Sequence, residues 1–329
     1  MTALVRAEAL SRGFRARGLW PGRGGDVLAV RDVSLEIARG EALGVVGESG
    51  CGKTTLGRLL LRLLAPSAGR VCFDGQDLAT MTSAGLRALR RRMQLVFQDP
   101  YASLDPRRPV GAQIADGLTI HGLAEPRAVR DRVAGLLDQV GLAPEHASRL
   151  PHEFSGGQRQ RIAIARALAT GPDFIVADEP VSALDVSVQA QVVNLLADLR
   201  AELGLALLFI SHDLHVVRHL ADRIAVMYLG RIVEIGPTDA VFAAPAHPYT
   251  RALLAATPSL RAAAGRAAAP LAGELPDPAA TPTGCGFRTR CPHARPACAA
   301  EVPALRPLAG GRQAACVRDD VLGARPGVS

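Results

Sequence analysis

Short apolar runs alternate with amphipathic stretches along most of the chain. Residues 4–10 and 27–37 read as two strands, separated by a Gly/Arg/Pro-rich loop over 15–26. Residues 42–46 form a short apolar run that enters a Gly-rich turn, and 56–64 follow with helical apolar density. The order is therefore strand, Gly loop, helix. Residues 71–73 with Asp74-Gly75 predict a further strand and turn, 84–92 a helix and 93–97 a buried strand. Over 100–170 the character changes. A loop at 100–109, amphipathic helices at 110–121 and 127–140, and a Gly-initiated helix at 155–169 read as a helical insertion. Residues 174–177 and 205–210 are predicted strands flanking a helix at 186–202, and 224–227 and 231–235 complete the series. Alternating strand and helix imply a mainly parallel sheet covered on both faces. Past about residue 237 the pattern weakens, and 258–283, rich in Ala and Pro, read as a linker.

Composition narrows the classes. The 329 residues suffice to bury a core without disulfides. The apolar run at 205–210 is far short of the ~20 residues of a membrane span. No apolar segment precedes the first charges, so no signal peptide is expected. Aromatics are 4% of the chain, too few for the ring platforms of single-stranded nucleic-acid binders. The net charge of +7 is carried by scattered Arg with only 90–92 forming a run, so no nucleic-acid partner is expected. One cation stands apart. Of 38 Lys plus Arg the single Lys is Lys53, which suggests a position that requires a compact ammonium.

Lys53 falls in Gly47-Glu48-Ser49-Gly50-Cys51-Gly52-Lys53-Thr54, a match to G-x-x-x-x-G-K-[ST]. Glycines let backbone N–H groups converge on phosphates, and the following helix adds its positive dipole end. Lys53 would reach the β- and γ-phosphates and Thr54 would offer its hydroxyl to Mg²⁺; Thr55 continues the loop into the helix. Cys51, at a helix N-terminus, is expected to have a lowered thiol pKa and to be open to alkylation. The run Phe174-Ile175-Val176-Ala177 ends in Asp178-Glu179. At the C-terminal end of a parallel strand, Asp178 would bind Mg²⁺ and Glu179 would orient or deprotonate the attacking water.

Phe154-Ser155-Gly156-Gly157-Gln158, followed by Arg159-Gln160-Arg161, resembles the signature of ABC transporter ATP-binding subunits, with Phe154 where the family usually has Leu. Further positions match in order over about residues 3–255. Gln98 resembles the Q-loop glutamine, which would touch Mg²⁺ or the attacking water. Ser182-Ala183-Leu184-Asp185 resembles the D-loop at the dimer interface. His212 resembles the switch histidine on the γ-phosphate, and Phe14 is the match for the adenine-stacking aromatic. The resemblance implies an α/β P-loop NTPase of ABC type: a mixed sheet core, an antiparallel β subdomain and a helical subdomain at about 100–170. It implies a head-to-tail dimer that sandwiches two ATP with Mg²⁺, in which Ser155, Gly156, Gly157 and Gln158 of one chain, with Asp185, meet the phosphate loop of the other. Hydrolysis would open the dimer.

The subfamily clues lie outside these motifs. Residues 97–108, the segment His247-Pro248-Tyr249-Thr250-Arg251-Ala252-Leu253 and the Cys-bearing tail resemble oligopeptide and dipeptide importers. Nickel and other small-solute importers share this architecture. Such an importer implies two transmembrane permeases, a second ATPase, identical or sister, and an extracytoplasmic solute-binding protein, with this chain peripheral on the cytoplasmic face of the membrane. A soluble ABC ATPase acting on DNA or ribosomes is a rival, but the chain lacks room for a long coiled coil and carries one cassette. Residues 1–255 are thus expected to form the ATPase domain and 256–329 a C-terminal extension. There Cys285, Cys291, Cys298 and Cys316 are spaced C-x₅-C-x₆-C-x₁₇-C. The spacing leaves a cluster, zinc and free thiols open, although C-x₂-C is missing. The resemblance favours a [4Fe–4S] cluster. Cys72 is expected to be a small core residue.

Overall fold

Strands β3 (Ala42–Val46), β7 (Phe174–Asp178) and β8 (Ala206–Ile210) are buried at every position, which is why each reads as an unbroken apolar run. A computed structural model describes residues 3–15, 26–99, 103–256, 276–277 and 280–322. These strands form the centre of an eight-stranded sheet of order β11-β12-β10-β9-β3-β8-β7-β6, with β6 (Met93–Val96), β9 (Arg223–Tyr228) and β10 (Arg231–Pro237). Strands β9, β3, β8, β7 and β6 run parallel. Then β10 turns back antiparallel to β9. The sheet is therefore mixed, with a parallel centre.

Side chains alternate across this sheet with a period of two. Leu43, Val45, Phe174, Val176, Leu208 and Ile210 enter one core, shared with helix α1 (Lys53–Leu60) and with an antiparallel lobe. Ala42, Val46, Ile175, Ala177, Leu207 and Phe209 enter the other, shared with the helices of the opposite face. Burying a residue such as Leu208 or Phe174 contributes about 1.5–3 kcal/mol.

The antiparallel lobe has the order β2-β1-β4-β5, from β1 (Ala3–Arg15), β2 (Asp26–Ala38), β4 (Ala68–Phe73) and β5 (Gln76–Asp77). In β2, Val33, Leu35 and Ile37 are buried between exposed Asp32, Ser34 and Glu36, the pattern of a sheet with one wet face. Both long strands extend beyond the stretches expected from apolar content, because their ends pair through polar residues such as Arg12 and Gly13. Cys72 on β4 is half-buried, not a core residue, since its neighbours Val71 and Phe73 take the inward positions.

Helix α2 (Ser83–Arg90) leads into β6. The insertion holds α3 (Val110–Ile120), α4 (Val129–Gln139) and α5 (Gly156–Leu168). Val110, Ile114 and Leu118 recur every fourth residue and face Val133 and Leu137 within one core. Helices α6 (Val186–Leu203) and α7 (Leu214–Leu220) cover the same face of the sheet.

Beyond β10 come α8 (Thr238–Ala243) and α9 (Pro248–Ala256), where the sequence pattern is weak. Most of the expected linker lies outside the described residues. Residues 280–322 then return to the body. Strand β12 (Gln313–Ala314) pairs with β10 and carries β11 (Arg306–Pro307), so the extension is continuous with the main sheet. The chain ends its described part in α10 (Asp319–Leu322).

Candidate active site

The C-terminal ends of β3, β6, β7 and β8 deliver the chemistry-bearing residues to one crevice, as parallel sheets do. From β3 comes the loop 47–52, from β6 Gln98, from β7 Asp178 and Glu179, and from β8 His212.

The loop is shaped by backbone. Gly52, with φ +105, caps α1, and a Cβ there would stand 2.1 Å from the carbonyl oxygen of Ala29, so only glycine fits. Gly230 N–H donates to the Cys51 carbonyl (2.9 Å), which ties the loop to the β9–β10 turn. Lys53 Nζ donates to the carbonyls of Gly47 (2.8 Å) and Glu48 (3.1 Å), spanning the loop from within. Gly50 has open space beside it, and Ser49 is exposed. Thr55 is half-buried on α1. The expectation for Cys51 is reversed. Its thiol is buried and faces Gly47. Burial pushes its pKa up, and the nearby Lys53 charge offsets only part of that.

Thr54 Oγ1 donates to Asp178 Oδ1 over 2.9 Å. Asp178 is buried, and this desolvation raises its carboxyl pKa against the lowering effect of the Thr54 hydrogen bond. Glu179 follows with φ +47, a left-handed conformation uncommon for this residue type. That turn swings its carboxylate between two partners. Gln98 Nε2 donates to Glu179 Oε2 at 3.3 Å, and His212 Nδ1 lies 3.3 Å from the same oxygen. The structure thus brings together all five of Thr54, Gln98, Asp178, Glu179 and His212. Two hard oxygen donors, Thr54 and Asp178, side by side beside a phosphate loop suit Mg²⁺, which takes few protein ligands plus substrate phosphate.

The signature segment is built as a helix start. Ser155 Oγ accepts from Gln158 N–H (3.3 Å) and Gln158 Oε1 accepts from Ser155 N–H (3.0 Å), a reciprocal capping box. Gly157 is required by packing, since a Cβ there would lie 2.3 Å from Val188 Cγ1, and one on Gly156 would lie 3.2 Å from Leu184 Cδ2. The segment is thereby set against the D-loop residues of its own chain. Ser182 Oγ in turn donates to the Glu179 carbonyl (3.1 Å), and Asp185 stands at the N-cap position of α6, exposed and without a side-chain capping bond. Among the described residues no hydrogen bond joins 155–158 to 47–55. Phe14 is 38% exposed, with the Arg12 guanidinium 5.0 Å from its ring centre, and residues 16–25 beyond it, Trp20 included, lie outside the described residues.

Two further contacts on the phosphate loop escape sequence reasoning. Glu48 N–H donates to Tyr249 Oη (3.0 Å). Arg290 reaches the Glu48 carboxylate with both terminal nitrogens (2.6 and 2.9 Å). Tyr249 lies in a segment read only as a subfamily mark, and Arg290 is one Arg among 37. Glu48 thus commits its amide and its side chain to α9 and the extension.

A family model of the ABC transporter matches residues 30–182, and one of the oligopeptide/dipeptide transporter C-terminal region matches residues 233–298. A protein of Brucella ovis is 53% identical over 321 residues, 97% of this chain and 99% of its own. The chain belongs to the ABC transporter ATP-binding subunits of the peptide-importer type. The di/tripeptide transport ATP-binding protein DppF of Pseudomonas aeruginosa is 49% identical over 317 residues, 96% of this chain and 98% of its own. A solved cassette, MJ0796 in a dimeric post-hydrolysis state bound to ADP and Pi, superposes with TM-score 0.64 at 29% identity, covering 71% of this chain and 98% of that one. As an ATP-binding subunit of a peptide importer, this ATPase uses ATP with Mg²⁺ and works with permease subunits, a partner ATPase and a solute-binding protein. Among the described residues no helix is long and apolar enough to cross a membrane.

The four tail cysteines of this importer ATPase line one small pocket together with His247, His293 and Arg318. All four are free thiols, Cys298 and Cys316 buried and Cys285 and Cys291 half-buried. Burial raises the Cys285 thiol pKa to about 11. The expected metal role is not met in single-ion form. Among the described residues no group of three or more His, Cys, Asp or Glu is arranged to hold a metal ion.

Proposed function

We propose that this importer ATPase hydrolyses ATP in the crevice at the ends of β3, β6, β7 and β8, and that each motif residue has a separate role there. Lys53, with the amides of Gly47 to Thr55, binds the phosphates. Thr54 and Asp178 hold Mg²⁺, with Gln98 at its edge. Bound there, the ion neutralises phosphate charge. Glu179 accepts a proton from the attacking water while His212 and Gln98 hold its carboxylate in line. Phe14 stacks on the adenine. Catalysis is then positioning plus electrostatics. The observation that carries this reading is the single Glu179 oxygen shared by Gln98 and His212 beside the Thr54–Asp178 pair.

Exposed Ser155 and Asp185, with half-buried Gly156 and Gln158, support a second ATPase completing the site in trans. Its helix start would offer amides and a positive dipole end to the γ-phosphate. Residues 1–255 act as the ATPase domain and 256–329 as an extension, with the subunit peripheral on the cytoplasmic face of the membrane. The four cysteines hold a [4Fe–4S] cluster. Support comes from four thiols around one pocket, with the amides of Phe287, His293 and Arg318 donating to the sulfurs of Cys285, Cys291 and Cys316. A single zinc ion would need its sulfurs within about 2.3 Å of one point. Iron and sulfide analysis of anaerobically purified protein tests this, and stoichiometric zinc or metal-free protein would replace it.

The transport reading is tested by purifying the complex from gently solubilised membranes and measuring ATP hydrolysis in proteoliposomes. Two permeases, a second ATPase and a peptide-binding protein should co-purify, and peptide with its binding protein should stimulate hydrolysis. Stimulation by a metal ion or another small solute, and not by peptides, would change the cargo.

A further inference from the structure

The cysteine-bearing extension grips the phosphate loop. Arg290 sits between Phe287 and Cys291, and its side chain is only 4% exposed. It spends two nitrogens on the two carboxylate oxygens of Glu48, at 2.6 and 2.9 Å, and also stands 3.5 Å from Tyr228 Oη. The segment that carries it is anchored by Phe287. That fully buried ring meets Tyr228 and Tyr249 at centroid distances of 5.3 and 5.4 Å. Tyr249 closes the circle by accepting the Glu48 N–H.

Glu48 is an awkward residue for its place. It is an acid inside a loop whose chemistry is to collect phosphate, and its own carbonyl accepts from Lys53 Nζ. A free carboxylate there would repel a triphosphate and compete for the lysine. A bidentate guanidinium removes the net charge and fixes the direction of the side chain.

We propose that Arg290 is a positioning residue for the nucleotide loop: by holding and neutralising Glu48 it sets the loop's affinity for ATP, so that this affinity depends on the docked extension. The inference rests on ATP occupying the loop of residues 47–55. It makes the extension part of the nucleotide site.

The test is equilibrium binding of ATP to the full-length chain without added magnesium, so that nothing is hydrolysed. Arg290→Gln should weaken binding roughly tenfold, because a half-buried carboxylate is left in the phosphate loop without its counter-charge. Arg290→Lys, which keeps the charge but loses the fork, should fall between. The deciding variant is Glu48→Gln/Arg290→Gln, which should return to within roughly threefold of wild type because no uncompensated carboxylate remains. Arg290→Gln binding like wild type would overturn the proposal. So would a double variant as weak as the single one, since the loss would then come from the extension's packing. Failure of the wild-type chain to bind ATP would instead overturn the assignment of the loop itself.

Discussion

Thr54 and Asp178 are joined by a 2.9 Å hydrogen bond across 124 residues of sequence, the hydroxyl donating to a carboxylate whose pKa is raised by burial. A buried acid with one hydroxyl partner is unfavourable for folding and suited to a cation. Asp178→Asn keeps the shape and removes the charge. Turnover at saturating ATP should fall roughly 10²–10³-fold, and the magnesium concentration for half-maximal rate should rise. The fold should be as stable as wild type or more so, because a desolvated charge is gone. Initial rates against Mg²⁺, with a thermal melt alongside, check both parts. An unchanged magnesium midpoint would remove Asp178 from the metal site.

Glu179 is tested separately. Its Oε2 is shared by Gln98 and His212, so Glu179→Gln keeps the side-chain volume while removing the acceptor of the water's proton. Hydrolysis should drop by about 10²–10⁴-fold, with ATP binding kept. The ATP-bound assembly should then persist through size-exclusion chromatography. Near-normal turnover in this variant would show that another group takes the proton.

These two sites differ in how visible they are in sequence. The loop 47–54 and the pair Asp178-Glu179 are legible because the chemistry needs contiguous residues at a strand end. A lone Gln98 or His212 carries no spacing signal and is read only through the family resemblance. The contacts of Glu48 are illegible, since their partners stand 201 and 242 residues away and nothing local marks them. Cys51 shows a different failure. The dipole of a helix start favours the thiolate, but burial is the larger effect and raises the pKa. The central strands are found from apolar runs because both faces are buried. Two-residue strands such as β11 and β12 have no periodicity to read, and they exist because β10 offers an edge.

Gly157 gives a prediction about packing. A methyl group placed there would stand 2.3 Å from Val188 Cγ1, below any real Cβ contact, and both helices are held in one shared core. Gly157→Ala should destabilise the protein by about 1–3 kcal/mol through overpacking. Adding Val188→Ala should recover most of that loss, because it removes the methyl that clashes. Denaturant melts of the single and double variants measure it. A single variant as stable as wild type would mean that α5 and α6 part easily, and that the signature segment is not fixed by the D-loop side.

His247 is fully buried, and burial together with the Arg251 charge lowers its pKa from 6.5 to about 3. Its Nδ1 accepts the Tyr249 N–H (3.1 Å), which needs an unprotonated ring nitrogen at the start of α9, and the His247 backbone N–H donates to Glu234 Oε2 (2.8 Å). Below pH 6.5 the unfolded chain takes up a proton that the fold refuses until about pH 3. Stability is therefore present above 6.5 and lost as pH falls through that window, by about 1.4 kcal/mol per pH unit from this group. Glu234 works in the opposite direction, because burial raises its carboxyl and the fold binds that proton more readily than the unfolded chain does. The clean measurement is the difference between wild type and His247→Gln in unfolding free energy from pH 8 to pH 5. Wild type should lose stability relative to the variant as the pH drops below about 6.5. Parallel curves would mean that the ring reaches water before the protein unfolds. Because Tyr249 and Phe287 pack beside His247, that result would also place the opening next to the phosphate loop.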